Sequence, residues 1–425
     1  MTGFVVREHR VQVPVDRADP PRFGSIEVFA REVVDPARAN EDLPLLVFLQ
    51  GGPGGMSPRP MPGGGWVATA LRTHRVVLLD QRGTGRSSRV DGRVISSFPT
   101  AQVAADYLAC FRQDAIVADA EHLRNTVYGG RRWAALGQSY GGFVTLAYLS
   151  THPEALTACY VTGGLIGIDA TAEDVYARTF PRQLERDAQL DRAFPGDLDV
   201  LHAIADQCVA GEVVLADGTP LSVERLQALG LPFGMSTGID ELHWMLDNAL
   251  DRDGRVTQAF ADEVAHHTSW AANPLYAALH EPIYHQGSRA PGWAAEAEKA
   301  RRPEFAPGAR PLRLTGEAFF PWAFSQVSAL RPFRAVADEL AARTWWPHVY
   351  DEAALARNEV PVAAVQYYDD PYVDLGLALD TAARLGNAQV WVTNEYLHDG
   401  LRVKGDEILP RLIDLAAGRW SVTDR

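Results

Sequence analysis

Four short, unbroken apolar runs constrain this chain more than anything else in it: LLVFL ending at Leu49, VVLLD at Asp80, WAAL at Leu136 and ACYVTG at Gly163. Segments apolar at every position are buried on both faces, which is what parallel strands require, and the amphipathic stretches between them read as crossover helices. The pattern stops after Gly163 and resumes with PVAAVQYY (361 to 368), a helix through LGLALDTAARLG, the strand AQVWVTN (388 to 394) and a last helix EILPRLIDLAAG. Ahead of it all, FVVREHRVQVPV and SIEVFAREVV alternate around Asp-Pro-Pro and Phe-Gly, the mark of antiparallel strands joined by a turn.

Between the two α/β portions the periodicity is helical, as in DVYARTFPRQLERDAQL, DELHWMLDNAL and QAFADEVAHHTSW, with one expected hairpin at VVLADGTPLSV, where Asp-Gly signals the turn. The expected organisation is an α/β fold with a mainly parallel central sheet, its core split into residues 1–163 and 337–425 by a mostly helical cap at 164–336.

Composition narrows the partners. A net charge of −14 gives no long-range attraction to nucleic acid or to an anionic membrane, so neither is expected as a partner; small molecules or peptides are. The start of the chain meets charge by Arg7 without an apolar signal core, no run is long enough to span a bilayer, and a cytoplasmic protein is expected. Cys110, Cys159 and Cys208 form no CxxC and no metal-ligand spacing, so neither metal nor cofactor is expected.

Chemistry enters at Gly137-Gln138-Ser139-Tyr140-Gly141. A G-x-S-x-G sequence between a strand and a helix suits a turn so tight that a flanking Cβ would strike backbone, which pushes the serine oxygen out above the sheet. By itself the pattern also arises by chance in glycine-bearing loops. Gln50-Gly51-Gly52-Pro53-Gly54-Gly55 is bare enough to turn N–H groups toward a developing negative charge, and the expected oxyanion donors are Gly52 and Tyr140. A phosphate cradle is the weaker reading, because a P-loop's lysine and threonine are missing. Asp80-Gln81-Arg82-Gly83-Thr84-Gly85-Arg86-Ser87 reads as a salt-bridged support beneath these loops. A serine nucleophile needs an acid and then a histidine after later strands. Asp369 and Asp370 follow PVAAVQYY, and His398 follows AQVWVTN.

Together GGPGG (51 to 55), DQRGTGRS (80 to 87), GQSYGGF (137 to 143), YYDDPYVD (367 to 374) and NEYLHDGLR (394 to 402) resemble the motifs of proline iminopeptidases, serine peptidases of the α/β-hydrolase fold. The resemblance implies removal of an N-terminal proline from peptides, with Ser139 as nucleophile, His398 as base and Asp370 as acid, and a helical cap that admits a free imino terminus. Asp369 stays open as the acid, since neighbouring strand-end residues point opposite ways and only one can face the histidine. Where the family often has histidine before GGPG, this chain has Gln50, a change that spares the backbone donors. Glu281 and Glu317 resemble the family's amine-holding cap glutamates. Phe319, Phe320 and Trp322 beside Glu317 suit the apolar ring attached to an ammonium. The alternatives are an esterase or an aminopeptidase for other small residues on the same triad, and a non-catalytic binding protein of the same fold, which would typically have lost a triad member.

Overall fold

The structure is a computed structural model describing residues 3–61 and 63–419; the outermost residues of the two expected core portions, 1–2 and 420–425, lie outside the described residues. One sheet of eight strands runs in the order β1-β2-β4-β3-β5-β6-β7-β8. Strands β1 (Val5–Pro14) and β2 (Ser25–Val34) pair antiparallel along their whole length, from Val5 opposite Val34 to Pro14 opposite Ser25. β2 then runs antiparallel to β4 (Arg75–Asp80), and from there the sheet is parallel: β3 (Leu45–Leu49), β5 (Trp133–Gln138), β6 (Leu156–Thr162), β7 (Val362–Tyr367) and β8 (Ala388–Thr393). This is the α/β-hydrolase arrangement that the sequence motifs imply.

Every residue of β3, β4 and β7 is buried, whereas the edge strand β8 is only partly so. The pleat explains the need for apolar residues on both sides. Leu45, Val47 and Leu49 point into one core with the helices Gln113–Tyr128 and Tyr140–Thr151, and Leu46 and Phe48 into another with Gly65–Ala70 and Gly400–Ala416.

Among the described residues no strand joins the sheet between β6 and β7. The longest helix there, Ala172–Ala193, opens on a capping box in which Thr171 and Asp174 satisfy each other's backbone N–H. This segment packs in two ways. Phe319, Phe333 and Leu340 join the core beside the sheet, while Leu201, Phe233, Leu246 and Phe260 build a separate hydrophobic cluster with Leu312 and Leu314. Residue 336, the expected end of the cap, falls inside the helix Arg334–Ala342.

The expected hairpin at VVLADGTPLSV is a correction. The Asp217-Gly218 turn forms, with Leu215 N–H bonded to Thr219 and Leu221 N–H to Val213, but only a single bridge, Val214 to Pro220, follows. The helix Asp197–Val209 ends just before it, and Ser222 already caps the next helix, so there is no chain left to extend the arms. No helix among the described residues is long and apolar enough to cross a membrane.

Candidate active site

The loops that leave the C-terminal ends of the parallel strands gather on one edge, where ligands bind in open α/β sheets. Ser139 follows β5 at φ 54° and ψ −126°, a left-handed conformation that costs a non-glycine residue of order 1–3 kcal/mol. Its surroundings leave no alternative to glycine. A Cβ on Gly141 would lie 1.8 Å from the carbonyl oxygen of Leu49, and one on Gly137 would lie 2.3 Å from that of Gly141. The turn is held by Ser139 N–H on Thr162 at 3.0 Å and Gly142 N–H on Ser139 at 2.7 Å.

The loop after β3 rests directly against the serine, since a Cβ on Gly51 would come within 2.9 Å of the Ser139 Cβ. Gly52 follows at φ 134°, and a Cβ on Gly55 would strike the Gly51 carbonyl oxygen at 2.2 Å, so the loop is curled on itself. Tyr140 is the first residue of the helix Tyr140–Thr151, where backbone N–H groups have no partner inside the helix.

Beneath these loops lies the support that the DQRGTGRS stretch suggests. Gln81 Nε2 donates to the Gln50 carbonyl at 2.8 Å, fixing the glycine loop. Asp80, fully buried, accepts from both Nη atoms of Arg59 and from the N–H groups of Ser57 and Arg86. Arg82, equally buried, forks onto Asp119 at 2.6 Å and donates to the carbonyls of Val15 and Cys110.

Of the two adjacent aspartates, the structure brings Asp370 to the histidine. His398 Nδ1 lies 2.7 Å from Asp370 Oδ2, and Asp370 Oδ1 accepts from the N–H groups of Tyr372 and Val373. Asp369 is less buried and acts instead on Arg186. Ser139 and His398 are drawn together at the end of β6: a Cβ on Gly163 would lie 3.2 Å from His398 Nδ1, and one on Gly164 would lie 2.4 Å from the Ser139 carbonyl oxygen. Burial would push the imidazole down, but Asp370, then Glu317 and Asp399, outweigh it and hold His398 above its ordinary value.

Glu317 also belongs here. It accepts a hydrogen bond from the Tyr276 hydroxyl, and its charge is felt by His398, Tyr176, Tyr284 and Tyr372. Burial raises its carboxyl to about 7, against the opposing pull of His398 and Tyr276. Phe319 packs edge-on to Tyr276 and His280, with ring centres 5.0 and 5.1 Å apart, and so adjoins this carboxylate.

Three expected residues sit differently. Each oxygen of Glu281 accepts from a backbone N–H, of Ala294 and of Ala295, so it caps the helix Ala294–Ala300. Phe320 and Trp322 stack on each other, with Lys299 over Phe320, and Trp322 lines a crevice with Glu224 and Glu296; neither makes a ring contact with the tyrosines around Glu317. Tyr276 lies in none of the motifs, and Tyr372 lies in YYDDPYVD without being singled out there. Tyr372 lies edge-on to His398 at 4.9 Å and followed the acid so closely in YYDDPYVD that its position was the only available signal.

Residues 44–200 match the α/β-hydrolase fold family model. The chain is 39% identical to a proline iminopeptidase of Aeromonas sobria, covering 98% of this chain and 97% of that one. It is 32% identical to a proline iminopeptidase of Aspergillus aculeatus, covering 97% and 94%. A solved proline iminopeptidase structure from Mycobacterium smegmatis aligns over 97% of this chain and all of that one, at 15% identity and a TM-score of 0.43. Similarity at this level over nearly the whole of both curated relatives reaches well beyond the motifs, into the helical segment that carries Glu317: the chain belongs to the proline iminopeptidase family.

Proposed function

We propose that the protein is a serine aminopeptidase that releases an N-terminal proline from peptides, with Ser139, His398 and Asp370 as its triad and residues 164–336 as its cap. The observation that carries this reading is the placement of Glu317, a partly buried carboxylate bonded to the Tyr276 hydroxyl whose charge acts on the same histidine that pairs with Asp370. A catalytic serine alone would serve many acyl groups; a partly buried anion acting on its histidine selects an acyl group that carries a cation.

In the mechanism, His398 takes the proton of Ser139 Oγ as that oxygen attacks the prolyl carbonyl. The tetrahedral oxyanion is stabilised by the N–H groups of Gly52 and Tyr140. Asp370 holds the imidazole with Nδ1 protonated and stabilises the cation that forms. The C–N bond then breaks as His398 gives its proton to the leaving amine. Water, deprotonated by His398, attacks the prolyl ester, and proline leaves as Ser139 recovers its proton. Glu317 holds the prolyl ammonium throughout, and Phe319 offers the ring an apolar wall.

The test is a panel of proline, alanine and leucine arylamides and simple esters, run on wild type and on Ser139→Ala. Proline arylamide should lead the panel, and Ser139→Ala should lower kcat by about 10⁴-fold or more with an unchanged fold. Near-normal turnover in the variant would remove Ser139 from the mechanism, and an equal rate on leucine would remove the proline preference.

A further inference from the structure

The mechanism leaves a large cleft at His398 unused. The cleft, of about 510 Å³, opens beside His398, with Gln50 and Gln138, the residue before Ser139, also on its wall, and neither Glu317, Tyr276 nor Phe319 lines it. The histidine side of the site therefore opens onto this cleft. Because His398 must hand its proton to the leaving amine, the chain beyond the scissile bond lies on the histidine's side.

The chemistry of the cleft is specific. Its floor is the stacked pair Phe48 and Trp66, with ring centres 4.4 Å apart, and Met61, Met235 and Leu401 complete its apolar lining. Met61, 74% exposed, is free to close over a bound side chain, and thioethers adapt to rings of different shape. The charged groups at the rim are already matched. Arg59 is spent on Asp80, and Arg402 pairs with Asp399, whose other oxygen accepts from Ser236. Among the described residues, the charged groups of the rim thus each have a partner within the protein. The volume lies within the range of sites that enclose a small ligand, more than one side chain needs.

We propose that this cleft is the subsite for the second residue of the peptide, selecting a large uncharged side chain, above all an aromatic one, on the leaving amine. The proposal rests on the aminopeptidase reading. Its test compares kcat/KM for the dipeptide amides Pro-Phe-NH2, Pro-Gly-NH2 and Pro-Glu-NH2 in wild type, Met61→Ser and Met235→Ser, with proline methyl ester as a separate substrate. Phenylalanine should exceed glycine and glutamate by about tenfold, and each serine variant should cut that advantage several-fold. Ratios within about twofold of one another in wild type, a preference for glutamate, or methionine variants that keep the full advantage would overturn the subsite. The methyl ester, whose leaving methanol is too small to fill the cleft, separates the two readings. If it is hydrolysed while the ratios are flat, the subsite alone fails; if it is not hydrolysed, the prolyl transfer fails.

Discussion

A carboxylate that bonds a tyrosine hydroxyl, as Glu317 does Tyr276, holds a cation only while it is ionised. Glu317, raised to about 7 by burial, is protonated and neutral below that pH and gains its charge as the pH rises through it. His398, held above its ordinary value by Asp370 against the effect of burial, must likewise lose a proton before it can act as a base. Both changes run the same way, so kcat/KM for substrates with a free terminus should climb through about pH 7, as a pH–rate profile will read. Glu317→Gln should lower kcat/KM on proline arylamide by about 100-fold or more, the cost of removing one partner of a buried charge pair. An N-acylated proline ester, with no cation to hold, should change little and keep only the histidine's acid limb; equal losses on both substrates would count against the amine-holding role. At this scale the sequence is a partial guide. Ser139 and His398 are readable because each sits where a strand ends, but the choice between Asp369 and Asp370 depends on how the chain turns after Tyr367. Glu281 could not be read as a cap, because the helix whose N–H groups it satisfies begins 13 residues later.

Elements were more legible where burial is complete. β3, β4 and β7 are unmistakable as runs because neither face meets water, whereas the Asp217-Gly218 turn promised strands that its neighbouring helices leave no room to form. The aromatic run after Glu317 fails as a guide for a related reason: outside regular structure, successive side chains follow no fixed period, and Phe319 turns toward Tyr276 while Trp322 faces another crevice. The strand-to-helix elbow gives a sharper prediction. Gly141→Ala forces a Cβ into the Leu49 carbonyl and should destabilise the protein by about 3 kcal/mol or more, measured by denaturant unfolding. Gly129→Ala, at a left-handed helix C-cap with φ 61° and open space around it, should cost only about 1 kcal/mol. Equal costs would mean that the elbow can relax away from β3.

Across the whole molecule, the sheet and the helical segment are joined at the histidine itself. His398 N–H donates to the Gly234 carbonyl at 3.0 Å, and the Tyr372 hydroxyl donates to the Leu231 carbonyl and accepts from Gly234 N–H. Ser236 donates from both its N–H and its hydroxyl to Asp399, next in the chain to His398. Tyr372→Phe leaves one buried and one partly buried backbone group without their partner and should cost about 2 kcal/mol, seen as a lowered Tm. Faster proteolytic nicking within residues 228–236 should accompany it; an unchanged Tm and cleavage rate would show that the tether carries no weight. None of these contacts was legible in the sequence, because each joins residues more than a hundred positions apart. Their consequence concerns what evolution or an engineer can remove. A version stripped of the segment from 164 to 336 would not be a smaller and more permissive hydrolase. The loop carrying His398 would have lost the scaffold on which it is hung, so in this chain the segment proposed to screen substrates is also the part that holds the proposed catalyst in place.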